Sequence, residues 1–176
     1  MAEILDSYVS EWERARQLRS RGDGGVVERV REDAWHRFQS LGFPNTHDEE
    51  WRFTSVAPIA ERRFTLAPPP SSDPGDVEAG SFRFPGEVAS ELVFVDRHYV
   101  PALSRVDGLP PGSRVDSLSA VLAADPEAIH PYLARIPPFE RHAFVALNTA
   151  FLHEGAFIQL PPRVALRHPI HLLFLS

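Results

Sequence analysis

Apolar residues near the N-terminus recur at helical spacing. Between Glu3 and Arg19 they form one stripe, which comprises Ile4, Leu5, Tyr8, Val9, Trp12, Ala15 and Leu18. The glycine-rich residues 22–25 interrupt it, and a second stripe follows through Val26, Val27, Val30, Ala34, Phe38 and Leu41. Gly42 then stands where helices commonly end. The pattern predicts two amphipathic helices joined as a helical hairpin.

The apolar period changes in the second half of the chain. Alternating residues predict short strands at 91–96, 99–101 and 113–115. A helix is predicted over 139–154, with Gly155 ending it. Prolines then separate three further short strands, at residues 156–160, 164–166 and 170–175. Such strands predict the opening of a β-solenoid, and a compact meander is the alternative.

A proline-rich segment divides these two halves. Three consecutive prolines, residues 68–70, cannot enter a helix interior or a central strand. We therefore expect an α+β protein with an N-terminal helical domain over 1–66, a linker or loop over 67–81, and an α+β segment over 82–176. Because Ser176 directly follows an apolar strand whose edge would be left unpaired, we expect the natural polypeptide to continue.

Two absences from the composition exclude whole classes of chemistry. The 176 residues include no cysteine, so the chain has no disulfide, no thiolate nucleophile and no thiolate ligand for zinc or an iron–sulfur cluster. They include no lysine, which excludes a P-loop and a lysine Schiff base. A net charge of −6 argues against a nucleic-acid partner. Without a secretory signal or a membrane-length apolar run, a cytoplasmic location is expected.

The segment after Gly42 combines acidic and aromatic residues. Thr46 and Glu49 have the spacing of a capping box, in which the hydroxyl and the carboxylate bind two backbone N–H groups at a helix start. Their acidic neighbours would lie in the first turn, where the helix dipole favours negative charge. Trp51 and Phe53 are predicted to anchor the segment to the core or to a partner. This structural interpretation is preferred to a carboxylate acid–base site.

Eight histidines raise the question of a metal site. His142 and His153 fall on one predicted helix about 16 Å apart, so they cannot share a metal. His168 and His171 could approach one another, but no third ligand or H-E-x-x-H pattern accompanies them. We predict surface or capping histidines, no metal and no catalytic residue. Asn148, in the middle of its helix, is interpreted as a structural contact to neighbouring backbone.

Several segments, taken in order, resemble the SufD family, the non-catalytic scaffold subunits of the iron–sulfur cluster assembly machinery. The resemblance is to SufD more than to its paralogue SufB, chiefly because of Gly42-Phe43-Pro44 and the following acid-Trp-Arg-Phe-Thr run. In this family, acidic residues similarly precede an aromatic, a basic residue, an aromatic and threonine. The matching segments cover nearly the whole chain and are residues 42–44 with 48–54, 92–96 with 99–104, 115–118, and 144–151 with 155–156 and 169–170.

The resemblance implies a helical domain followed by the opening strands of a right-handed parallel β-helix, truncated at Ser176. It implies a place in the SufBCD complex with SufB-like and SufC-like partners, whose contacts would lie mostly beyond this chain. It transfers no catalytic, cofactor or metal residue, and no cofactor is expected in this segment. The residues assigned a structural role are Gly42, Phe43, Pro44, Thr46, Glu49, Trp51, Asn148 and Gly155. The alternatives are a small His/carboxylate metal-dependent enzyme and a generic helical adaptor.

Overall fold

The computed structural model describes residues 2–19, 24–68 and 78–176, and the chain divides into two compact units. The first comprises Met1–Leu66 and Asp125–Leu152, and the second comprises Ala67–Ala124 and His153–Ser176. Residues 125–152 thus belong with the N-terminal residues, although the sequence predicts one continuous segment over 82–176. Most of the predicted linker lies outside the described residues.

Helices build the first unit. The described helices are α1 (Ala2–Leu18), α2 (Gly24–Leu41), α3 (Ala57–Ala60), α4 (Leu118–Ala124) and α5 (Ala143–Ala150), of which only α4 lies in the second unit. The two apolar stripes thus form α1 and α2, while the residues joining them lie outside the described part. Helix α5 is shorter than predicted, because residues before it form a turn in which Arg141 N–H donates to Pro138 O at 3.2 Å. None of these described helices is long and apolar enough to cross a bilayer.

Aromatic and small side chains make the core of the first unit. Its buried members are Tyr8 and Trp12 from α1, Ala34, Trp35 and Phe38 from α2, and Ala146 and Ala150 from α5. The rings of Trp12 and Trp35 stack at 5.2 Å between centroids with 8° between their planes. The alanines leave room for these large rings, so the apolar face of the α1 and α2 helices is packed inside the unit.

Tyr8 makes this core sensitive to alkaline pH. Burial raises the pKa of the Tyr8 hydroxyl above its ordinary value. The contribution of Tyr8 to folding stability is therefore fully present below pH about 10, the unfolded pKa. It is lost as the pH rises through the folded pKa, because the unfolded chain ionises first. We expect Tyr8→Phe to lose less stability than the wild-type protein between pH about 9 and 11. Urea unfolding across this range with parallel pH profiles for both proteins would contradict the prediction.

Two small sheets build the second unit. Their strands are β1 (Ser90–Val95), β2 (His98–Tyr99), β3 (Arg105–Val106), β4 (Arg114–Ser117), β5 (Ala156–Gln159) and β6 (Ile170–Leu175). Strand β6 runs parallel to the whole of β1, while β2 and β3 pair antiparallel with its two ends. Strands β4 and β5 form a separate antiparallel pair. The central strand β1 is buried on both faces, which suits its nearly continuous apolar sequence.

The turn after β1 is set by two residues with left-handed backbone. Asp96 has φ 45° and Arg97 has φ 75°. Positive φ at both central positions is the signature of the two-residue type I′ hairpin, whose twist matches that of the flanking strands. The hairpin is therefore formed, with its turn one residue earlier than the sequence suggests.

The expectation of a right-handed parallel β-helix is wrong, and only the general α+β class is confirmed. Among the described residues, β5 pairs antiparallel with β4, and residues 164–166 form no strand. Strand β6 pairs with β1, far earlier in the chain, instead of stacking on the strands just before it. The sequence of an apolar strand bounded by prolines indicates its two faces and where the strand ends. It does not indicate with which other strand it pairs.

Candidate functional site

The Gly42-Phe43 pair turns the chain from α2 back into the core. Gly42 has φ 66°, and its N–H donates to Phe38 O at 2.8 Å, which closes the end of the helix. The ring of Phe43 then lies edge-on to Phe38 at 5.2 Å and to Tyr8 at 5.4 Å. It also contacts Phe144 of α5, at 5.9 Å between centroids. The segment 42–54, which carries the family resemblance, therefore begins with residues that pack in the core.

Replacing Gly42 with alanine tests this helix end. We expect a loss of about 1–2 kcal/mol in the free energy of unfolding, because an L side chain disfavours positive φ. Gly25 is the matched control, since it lies inside α2 and a Cβ there would meet nothing within 4 Å. Gly25→Ala should instead add up to about 1 kcal/mol. Urea denaturation showing the same sign for both variants would contradict the assignment.

The capping box predicted from Thr46 and Glu49 is not formed. The 3-10 helix Glu49–Trp51 begins after Asp48 and has no side-chain cap. Instead, Asp48 Oδ2 accepts the N–H of Asn45 at 2.8 Å, and the N–H of Asp48 donates to Asn45 O at 3.0 Å. Short polar side chains readily bind nearby backbone in loops, and here they stabilise a turn before the helical residues.

A groove gathers most of the family-like residues of this segment. Trp51 is half-buried against Phe144, with ring centroids 5.3 Å apart. Glu50 Oε2 lies 3.2 Å from His142 Nδ1. The groove has a volume of about 260 Å³, and its lining includes Gly42, Pro44, Asp48, Glu49, Glu50, Trp51, Arg141 and His142. Residues from both chain segments that make up the first unit therefore meet at one acidic surface.

The chemistry available in this groove is limited. Its lining offers no hydroxyl or thiol that could act as a nucleophile. Glu49 and Glu50 are exposed, so water screens their charges instead of leaving them in a low-dielectric site. Over the described residues, no three His, Asp or Glu side chains form a cluster able to hold a metal ion. The arrangement is suited to packing and to presenting an acidic surface.

The structure gives the four histidines considered for a metal site separate neighbours. His168 and His171 contact two different carboxylates, so they do not converge on one group. The neighbours are Glu50 for His142 at 3.2 Å, the ring of His98 for His153 at 6.1 Å, Glu87 for His168 at 3.2 Å and Glu91 for His171 at 2.9 Å.

A cluster around one buried carboxylate in the second unit was missed by sequence reasoning. Glu91 on β1 is 5% exposed, and its Oε1 accepts Arg83 Nε at 2.8 Å. Its Oε2 lies 2.9 Å from Nδ1 of His171, the residue opposite it on β6. The only sequence signal is an acidic residue that opens an apolar strand, and its partner becomes evident only once β6 is paired with β1.

Asn148 and Gly155 have roles that differ from those predicted. The Asn148 side chain is exposed on α5 and makes no hydrogen bond to the described residues. Gly155 lies beyond the end of α5 and leads into β5. Its carbonyl accepts the N–H of Leu118 at 2.8 Å, and its N–H donates to Glu154 Oε1 at 3.0 Å. Gly155 therefore joins β5 to the start of α4.

The described residues thus form an α+β structure. The segments that carry the family resemblance contribute mainly packing contacts. The sequence matches the SufBD protein N-terminal region over residues 2–172, and the chain therefore belongs to the SufBD family. It is 30% identical over 154 residues to a protein of Synechocystis sp. described as an iron–sulfur cluster assembly SufBD family protein. The matched region is 88% of this chain and 33% of that protein, so the chain spans about a third of the relative's length.

Proposed function

We propose that this chain is the N-terminal portion of a SufD-like, non-catalytic component of the SufBCD iron–sulfur cluster assembly complex. The observation that carries the proposal is the family match over residues 2–172. The description of the Synechocystis relative as a cluster assembly protein supports it. Assignment to SufD instead of SufB rests on Gly42-Phe43-Pro44 and the acid-Trp-Arg-Phe-Thr run after it. The cytoplasm is the proposed location.

The packing of the family-like residues supports a non-catalytic role. Phe43 and Trp51 both contact Phe144 and so attach the loop after α2 to α5. This accounts for aromatic residues at those positions without any reacting group. The chain has no cysteine, hence no thiolate to bind a cluster. In the proposed function this segment holds no cofactor of its own. In the proposed function it supports partner subunits that bind the cluster.

Native mass spectrometry tests the proposed partners. The chain and its full-length parent are each mixed with the SufB-like and SufC-like proteins of the same host. We expect a complex with the parent and little or none with the chain alone, because the proposed contacts lie mostly beyond Ser176. A parent protein that binds neither partner would reject the SufBCD assignment.

A second assay tests whether the parent protein promotes cluster formation or only binds its partners. Cluster formation on the SufB-like protein is followed by visible absorbance, with and without the parent protein, in otherwise identical mixtures. Faster or more complete formation with the parent is expected, and identical time courses would contradict a role in assembly. Metal analysis of the purified chain by emission spectroscopy addresses the alternative enzyme. A tightly held stoichiometric metal there would favour the metal-dependent enzyme over the scaffold.

A further inference from the structure

The second unit carries a cavity separate from the Glu91 cluster. Its volume is about 560 Å³, which lies within the range of pockets that hold small molecules. Three stretches of chain line it: residues 88–89 before β1, residues 105 and 107–110 around the end of β3, and residues 165–168 before β6. None of these residues belongs to the groove of the first unit.

Among the described residues that line this cavity, Arg167 has no ionic partner. Arg105 Nε lies 3.5 Å from Asp107 Oδ1, and His168 Nε2 lies 3.2 Å from Glu87 Oε2. Arg167 is exposed and makes no ion pair or hydrogen bond with the described residues. The chain as a whole has a net charge of −6, so a guanidinium without an ionic partner at this cavity contrasts with the average surface.

The backbone beside Arg167 adds further donors. The N–H groups of Ala165, Leu166 and Arg167 donate no hydrogen bond to the described residues. These residues lie outside every strand and helix, and all three line the cavity. Successive backbone N–H groups together with a guanidinium form the kind of donor set that binds carboxylate and phosphate oxygens.

Apolar side chains complete the lining. Val88, Leu109, Pro110 and Leu166 line the same cavity as Arg167. We propose that this cavity binds a small organic anion, in which a carboxylate or phosphate group is joined to an apolar body. Arg167 and the neighbouring N–H groups hold the anionic group, while the apolar side chains contact the body. Asp107 competes for Arg105 and sets a limit on the affinity.

Titration with phenyl phosphate, followed by the amide resonances of the isotopically labelled chain, tests the proposal. The resonances of residues 107–109 and 165–168 should shift together and saturate. Phenyl phosphate should bind about tenfold or more tightly than inorganic phosphate, because its ring removes apolar surface from water. Phenol should bind much more weakly than phenyl phosphate. No saturable shift by phenyl phosphate up to about 10 mM, shifts located elsewhere, or equal binding of phenol would overturn the proposal.

Matched substitutions identify the cation responsible. Arg167→Gln should weaken phenyl phosphate binding about tenfold, because a charge-assisted contact is lost. Arg163→Gln removes the same charge from an exposed position of the same segment that does not line the cavity, and it should leave the affinity unchanged. Asp107→Asn should tighten binding by releasing Arg105. Equal weakening by Arg167→Gln and Arg163→Gln would show general electrostatic attraction and overturn the assigned site.

Discussion

Phe38→Ala is expected to lower the free energy of unfolding of the first unit by about 3–5 kcal/mol. Phe38 is fully buried, and its ring contacts Tyr8, Trp35 and Phe43 at centroid distances of 6.2, 5.9 and 5.2 Å. Truncation removes the buried ring and leaves a cavity between rigid aromatic neighbours that cannot collapse to fill it. Urea denaturation monitored by tryptophan fluorescence measures the loss, since Trp35 lies beside the substituted position.

Phe53→Ala is the matched control for this prediction. The same ring is removed from a position that is 93% exposed, where the Arg52 guanidinium lies 5.5 Å from its centroid. An exposed cation–π contact is worth at most about 1 kcal/mol, so the control should change stability little. A large loss for Phe53→Ala, or a negligible one for Phe38→Ala, would contradict the location of the core. Of the two aromatics predicted to anchor this segment to the core or to a partner, Trp51 packs against Phe144, whereas Phe53 is exposed.

The helices of the first unit were the most predictable part of the fold. Their apolar stripes repeat over several turns, and one face of an isolated helix has to be buried somewhere. Trp12 and Phe38 lie on the buried faces predicted for them. The end of α2 was also predictable, because Gly42 supplies the positive φ that few other residues adopt. These features depend on residues close together in the chain.

Strand pairing was much less predictable. The positions of β1 and β6 follow from their apolar runs, but their pairing joins residues such as Glu91 and His171 that are 80 positions apart. Short strands with similar composition offer several plausible partners, and the sequence alone ranks them poorly. The β-helix expectation failed at this point, because it assumed that consecutive strands stack on one another. The Glu91 cluster was missed for the same reason.

The segments that resemble SufD come together in space within each unit. In the first unit, Phe43 and Trp51 of the first segment meet Phe144 of the last. In the second unit, Val115 packs with Leu92 and Phe94 of β1. The resemblance was therefore carried by residues that hold each unit together, and this explains how it could identify a family while assigning no reacting group.

Charged residues of the helical hairpin show where local patterns fail. Arg19 directly follows α1 and lies outside its apolar stripe, yet its side chain is 6% exposed and its Nη2 donates to Ala150 O at 2.9 Å. Arg31 is fully buried on α2. Both depend on carbonyl groups at the end of α5, more than a hundred residues later in the chain. A helical period cannot reveal such a partner.

Arg31→Met is expected to destabilise the first unit by about 3–5 kcal/mol, although methionine is apolar and the position is buried. Arg31 Nε donates to Leu152 O at 2.8 Å, and its Nη1 donates to Glu28 Oε2 at 3.2 Å. Arg19 Nη1 donates to the other oxygen of the same carboxylate at 3.0 Å. The two guanidiniums neutralise Glu28 and bind carbonyls at the negative end of α5, so methionine would leave the Leu152 carbonyl without its donor and Glu28 with Arg19 as its remaining cation.

Two further variants distinguish this network from simple packing. Arg29→Met, at an exposed position of the same helix, should change stability by no more than about 0.5 kcal/mol. Combining Arg31→Met with Glu28→Gln should be less destabilising than the sum of the two single changes, by about 0.5–3 kcal/mol, because the neutral amide no longer needs a cation. Additive effects in urea denaturation would mean that Arg31 stabilises the unit independently of Glu28. A negligible effect of Arg31→Met would reject its place in the core.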